Sequence, residues 1–334
     1  MRSFSNGFLL FMAITWFPVT ALAAPSLDRA IIKSDFIKVN GVKLHYLDWG
    51  GKGKAILFLA GAGHSAYIFS DLAPQLTDRF RVLGLTRRGH GQSEQPAIGY
   101  DTATLVEDIR QFLTALKIKR VTLIGHSMAG DEMTHFAGLY PERIDKLVYL
   151  DAAYDRSQIS EGYLLSSLAE TFALLAPTKQ DFASVESWRN WLQHKRYGFW
   201  SAALEADMQQ TIKITPQGIR SVMSDEVVQA LARGTETFHP DFTKVKAPAP
   251  SFYAVTTMAT FFWLNNDSDP QIRQKTQSFL DTWLIPNQRK QIERFKQETG
   301  KGKVIEMPGV SHFLFIQKQP EVVREIRAFL LKKG

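Results

Sequence analysis

The sequence predicts an α/β fold in which a mostly parallel sheet carries helices on both faces. Three observations predict it. Short apolar runs of strand length alternate with longer segments of helical period from residue 55 onward. An alternating hairpin precedes them, and several of the runs break abruptly into small residues, where such a sheet gathers its functional loops.

Taken in order, residues 36–48 alternate (Phe36, Ile37, Val39, then Val42, Leu44, Tyr46) around Asn40-Gly41, a hairpin signal. Ala55 to Ala60 is a short apolar run closing in Gly61-Ala62-Gly63-His64, and a helical pattern follows over about 67–76. Arg81 to Leu85 is a second run, ending before Arg87-Arg88-Gly89-His90-Gly91. Asp101 is placed to N-cap a helix over about 102–116. Val121-Thr122-Leu123-Ile124 is β-branched and apolar, and helical sequence resumes at 128–139. Apolar runs recur at 147–150, 251–255 and 303–307, and Pro320 opens a last amphipathic helix to Leu331. Residues 155–246 interrupt the alternation with helical, aromatic-rich sequence that includes Phe172, Trp188, Trp191, Tyr197, Phe199 and Trp200.

The N-terminus reads as a cleaved secretory peptide over residues 1–23: Arg2, the apolar stretch Phe8 to Phe17, Pro18, and Ala21-Leu22-Ala23 before Ala24. The stretch is short for a membrane span, so no stable membrane anchor is expected, and the reading implies a periplasmic or secreted bacterial protein. The chain has no cysteine, so no disulfide framework is available and the core alone must hold it. The net charge of +7 is scattered, with no basic stripe interleaved by aromatics, which argues against nucleic-acid binding. No metal cluster or nucleotide fingerprint occurs, so no metal and no cofactor are expected. The expected organisation is a signal peptide over 1–23, a core over 24–154, an insertion over 155–246, and the rest of the core over 247–334.

The chemistry is concentrated in Gly125-His126-Ser127-Met128-Ala129-Gly130, directly after the strand at 121–124. This is the sequence form of a nucleophile elbow, a strained strand-to-helix turn in which residues two before and two after the serine are small. The turn lifts the Ser127 hydroxyl above the sheet and sets the Met128 N–H, at a helix N-terminus, beside a developing oxyanion. A serine hydroxyl needs a base to take its proton and an acid to orient that base.

The order of hairpin, glycine turn, Arg88-Gly89-His90-Gly91-Gln92-Ser93, Gly-His-Ser-Met-Ala-Gly and Gly309-Val310-Ser311-His312-Phe313 resembles the α/β-hydrolase superfamily over about residues 36–154 and 247–334. The resemblance implies an eight-stranded sheet with residues 155–246 as a helical cap inserted between strands six and seven. It also implies that His312, in a loop before the terminal helix, is the base. Relatives usually place the acid after the seventh strand, here Ser251 to Val255, yet no Asp or Glu occurs between Asp241 and Asp267. Asp151, directly after the strand ending at Leu150, is the favoured acid; Asp267 or Asp269 is the alternative, with Asp155 or no acid behind them. Ala62 and Met128 are the expected oxyanion donors, with Gly63 in reserve, and Ala60 stands where relatives commonly have a histidine. Thr86 replaces the acid of the family's D-x-R-G-x-G-x-S, a stretch expected to shape the scaffold. Gly63, His64, Trp188 and Trp191 are expected to line the substrate pocket. The reaction so implied is hydrolysis of a small to medium, apolar or aromatic carboxylic ester through an acyl-enzyme. Amide, lactone or carbon–carbon cleavage, or a non-catalytic receptor on the same fold, are the alternatives.

Overall fold

The computed structural model describes residues 32–158, 168–264, 269–300 and 302–332. The expected signal peptide and Asp267 lie outside the described residues. The chain divides into two units, Met1–Ala30 and Ile31–Gly334, and the second carries everything that follows.

Eight strands form one sheet: β1 (Lys33–Val39), β2 (Val42–Gly50), β3 (Ala55–Leu59), β4 (Arg81–Leu85), β5 (Val121–His126), β6 (Ile144–Leu150), β9 (Ser251–Val255) and β10 (Val304–Pro308). Their order is β1-β2-β4-β3-β5-β6-β9-β10. β1 and β2 pair antiparallel, as do β2 and β4, while the remaining pairs are parallel. Helices cover both faces, so the central strands are apolar on both sides and β3, β5 and β9 are buried along their whole length. Side-chain alternation divides the core in two. Leu57 and Leu123 join Phe112, Phe136 and Phe295 on one face, whereas Ile56, Phe58 and Ile124 join Phe69 and Phe315 on the other.

β5 and β6 are parallel neighbours, with His126 opposite Leu150. The residues that follow them, Ser127 and Asp151, therefore leave the sheet side by side at its carboxyl edge. Helix α1 (Thr102–Ala115), capped by Asp101 as expected, and α2 (Ala129–Leu139) pack on one face. The expected helix at 67–76 is instead two short 3₁₀ turns, Ala66–Phe69 and Ala73–Leu76, because Pro74 has no N–H to continue a helix and enters instead as the start of a new turn.

The insertion between β6 and β9 holds α3 (Ala169–Ala173), α4 (Val185–Trp191), α5 (Ala202–Thr211) and α6 (Asp225–Glu236). Ser184, Ser201 and Ser224 cap the last three through their side chains. It is not wholly helical: β7 (Ile212–Thr215) and β8 (Gly218–Ser221) form a small antiparallel hairpin. Ile212 and Ile214 carry the strand alternation, which is too short to stand out among aromatic helices. After β9 come α7 (Pro270–Phe279) and α8 (Ile285–Thr299), and α9 (Gln319–Leu331) closes the described chain with Pro320 in its first turn. No helix among the described residues is long and apolar enough to cross a membrane.

Candidate active site

Ser127 has φ +57°, in the left-handed region that a β-carbon disfavours. The small residues around it are dictated by space. A Cβ on Gly125 would lie 2.2 Å from Met133 Sδ and 3.0 Å from Ala129 Cβ, and one on Gly130 would lie 1.8 Å from the backbone oxygen of Ala152. The first contact involves a flexible side-chain end, the second rigid backbone. Gly130 thus lets α2 dock directly on the chain leaving β6, which sets Ser127 against Asp151.

His312 Nδ1 lies 2.6 Å from Asp151 Oδ2. Oδ1 of the same carboxylate accepts the Tyr154 hydroxyl (2.7 Å) and the Ala254 N–H (3.0 Å). Gln288 Nε2 in turn donates to the Tyr154 oxygen (2.9 Å) and to the Ala254 carbonyl (2.8 Å). Asp151 itself sits at φ +48°. Burial, and after it the Asp151 charge, holds the Tyr154 phenol well above its ordinary pKa, so it stays a donor. Of the other acids considered, Asp269 accepts from the Gln271 N–H as an N-cap and Asp155 pairs with Arg294 at 2.6 Å. Neither reaches His312. Tyr154 and Gln288 escaped the sequence reading; Tyr154, three residues beyond Asp151, had only that proximity to mark it.

His126, next to the nucleophile in the chain, also bears on the site. Its buried ring lies 4.4 Å from that of His312, centroid to centroid, and its Nε2 is 3.0 Å from the His312 carbonyl oxygen. A carbonyl only accepts, so Nε2 carries the hydrogen. Burial, then the neighbouring His312, keeps the ring neutral, so its buried Nδ1 stays bare and without a partner. A neutral histidine beneath the elbow therefore ties the loop bearing His312 to the strand bearing Ser127.

The glycine turn is held from two sides. Arg87 donates from Nη2 to the Ala60 carbonyl (2.8 Å) and from Nε to Glu132 (2.6 Å) behind it, and Thr86 Oγ1 accepts the Ala66 N–H at 3.1 Å. Across the insertion, buried Asp207 of α5 accepts from the Ser65 N–H and hydroxyl (both 2.7 Å) and from His64 Nδ1 (2.7 Å). The N–H groups of Ala62 and Met128 have no protein acceptor among the described residues. The pocket expectations need correction here. Gly63, His64 and Trp188 line a separate cavity of about 240 Å³, not the one at Ser127, and Trp191 lines neither. The reason is that His64 turns its ring to Asp207, while the helix spacing of Trp188 and Trp191 stacks their rings on each other, centroids 4.8 Å apart.

Ser127, Asp151 and His312 open on one cavity of about 430 Å³, within the range of small-molecule sites. Leu168, Phe172, Phe261, Phe262, Trp263 and Phe313 make much of its wall. The segment after β9 that lacks an acid thus supplies three aromatic rings. Arg156, Arg196 and Glu236 also face it.

Below Arg156, Asp131 is buried, with Oδ1 3.2 Å from Arg156 Nη1 and Oδ2 unpartnered. Burial pushes its carboxyl up to about 7 from an ordinary 3.8, and the cation only partly offsets this. Between those values the native state holds a proton that the unfolded chain has released, so stability falls as pH rises and stays lowered above pH 7. Asp131→Asn is therefore expected to raise stability by about 1–3 kcal/mol at pH 8, allowing for the weakened ion pair, with the gain fading to nothing below pH 4. Denaturant midpoints measured across that range check it; a gain independent of pH would refute it.

The profile of the family described as "alpha/beta hydrolase fold" matches residues 54–319. The chain belongs to that family. An uncharacterized protein of Mycobacterium tuberculosis is 32% identical over 161 residues, 47% of this chain and 45% of that one. A soluble epoxide hydrolase of Corynebacterium sp. is 32% identical over 113 residues, 34% and 39% of the two chains. The matches thus span less than half the length of these relatives. The crystal structure of E-2-(acetamidomethylene)succinate hydrolase superposes with a TM-score of 0.69 at 19% identity, covering 90% of this chain and 99% of that one, a likeness of fold. Membership accounts for the eight-stranded, mostly parallel sheet and its helices.

Proposed function

We propose that this member of the family is an exported serine hydrolase that cleaves carboxylic esters through an acyl-enzyme. The observation that carries the reading is the 2.6 Å pair of His312 Nδ1 and Asp151, opening on the same cavity as Ser127 at its strained turn. His312 takes the Ser127 proton as the hydroxyl attacks the ester carbonyl, and Asp151 holds the imidazole in the tautomer that leaves Nε2 free to accept. The unpartnered N–H groups of Ala62 and Met128, the latter at the positive end of α2, receive the oxyanion. His312 then protonates the departing alcohol and activates the water that releases the acid. A serine nucleophile suits an acyl intermediate, in contrast to the carboxylate nucleophile that epoxide opening uses. The apolar wall suits an aromatic or branched acyl group.

Labelling of the purified protein by a fluorophosphonate probe, lost in Ser127→Ala, tests the reading; no labelling, together with no turnover of p-nitrophenyl esters, would favour a receptor on the same fold. Export rests on residues 1–23, and a mature N-terminus at Ala24 in the exported protein is its test.

Asp207 is a positioning residue in this scheme, because it fixes the turn that presents the Ala62 N–H. Asp207→Ala leaves the buried Ser65 N–H without an acceptor and frees the turn. The expected result is a fall in kcat of about 10- to 100-fold with little change in KM, measured well below the melting temperature. A change in KM alone would mean that the residue only holds the cap.

A further inference from the structure

The polar groups of the larger cavity are mostly engaged. Asp151 is bonded to His312 and Tyr154, Gln288 to Tyr154 and Ala254, and Arg156 to Asp131. Arg196 differs. It is exposed, faces the cavity, and has no hydrogen bond or ion pair among the described residues. It lies in a π-helical turn, Leu192–Tyr197, that extends α4 and ends at Gly198 in the left-handed conformation. A Cβ on Gly198 would lie 3.0 Å from the Phe262 ring, so the turn ends directly against the aromatic segment after β9. That segment, Thr256 to Leu264, contains no charged residue, and the loop Val310–Phe313 offers only His312. The described acids of the cavity stand elsewhere: Asp151, bonded to His312, and Glu236 at the end of α6, which packs on the turn beginning at Arg156. Arg196 is thus a positive charge at a largely aromatic wall, with no ion-pair partner among the described residues.

An apolar substrate filling this cavity strips water from the Arg196 side of the wall, and a guanidinium left without water or a counter-charge is unfavourable. A substrate bearing a carboxylate reverses the sign, since the guanidinium fork donates two parallel hydrogen bonds to a carboxylate. We infer that Arg196 receives a carboxylate on the substrate, so the preferred substrates are amphipathic esters with an apolar body and a free carboxylate at the end remote from the scissile bond. The inference rests on the serine-hydrolase reading of this cavity and narrows its substrate class.

Two p-nitrophenyl esters of equal acyl length test it, the hexanoate and the mono-ester of adipic acid, which differ in a terminal methyl against a terminal carboxylate. Wild type is expected to favour the adipate in kcat/KM by about tenfold or more, and 0.5 M salt to narrow the preference. In Arg196→Gln the ratio of the two falls to about one, and in Arg196→Lys it is partly kept. A wild-type ratio at or below one, or a ratio unchanged in Arg196→Gln, overturns the inference while turnover of either ester leaves the hydrolase reading standing. Should neither ester turn over, calorimetric binding of phenylacetate against phenylacetamide decides the anion site without chemistry. Tighter binding of the carboxylate, lost in Arg196→Gln, supports it; equal binding of the two refutes it.

Discussion

Asp151→Asn is expected to lower kcat on a p-nitrophenyl ester by about 10⁴-fold with KM nearly unchanged, whereas Asp269→Asn leaves both as they were. The reason is tautomeric. Oδ1 of residue 151 accepts two donors, the Tyr154 hydroxyl and the Ala254 N–H, and an asparagine oxygen satisfies both equally well. Its amide nitrogen is then turned toward His312 Nδ1, 2.6 Å away in the wild type. Two donors cannot face each other, so Nδ1 loses its hydrogen and Nε2 acquires it. A histidine protonated at Nε2 cannot take a proton from serine. The network that holds the wild-type carboxylate in place therefore makes the substitution more damaging. Asp269 only caps the exposed start of α7. Near-normal turnover in Asp151→Asn would remove the residue from the scheme and leave the fold untouched.

The central strands were legible because their apolar runs end in turn residues, and α1 because Asp101 announces it. The pairing of Asp151 with His312 could be anticipated because a vacancy after Val255 directs attention to the neighbouring strand end. What escaped was set by contacts distant in sequence. The bond from Asp207 to Ser65 joins residues 142 positions apart, and that from His126 to the His312 carbonyl joins residues 186 apart. A carboxylate inside a helix, or a histidine beside a serine, has no local pattern that names its partner. Trp188 and Trp191 misled for the converse reason: their spacing was read correctly as helical, but it brings the rings to each other before it brings them to a ligand. The aromatic wall of the cavity came instead from Phe261, Phe262 and Trp263, in the segment noticed only for the acid it lacks.

Removing the hydroxyl in two ways separates the chemistry of Ser127 from the strain that presents it. Ser127→Ala and Ser127→Gly are each expected to lower kcat by about 10⁶-fold, since neither leaves a nucleophile. Their stabilities should differ. Alanine keeps a β-carbon at φ +57° and with it a cost of about 1–2 kcal/mol, which glycine does not incur. Glycine gives back part of that gain, about 0.5–1 kcal/mol, through the greater freedom of the unfolded chain. The balance favours Ser127→Gly by up to about 1 kcal/mol, or a melting temperature about 2 °C above that of Ser127→Ala. Comparing the two variants with each other cancels the loss of the hydroxyl and isolates the backbone. If Ser127→Ala melts above Ser127→Gly by the full unfolded-state difference of about 0.5–1 kcal/mol, the turn stores no strain, and the small residues around it serve packing alone. If Ser127→Gly melts higher, the native serine is held in an unfavourable conformation by β5, α2 and the Gly130 contact, at a site where only exposure of the hydroxyl explains why the chain retains it.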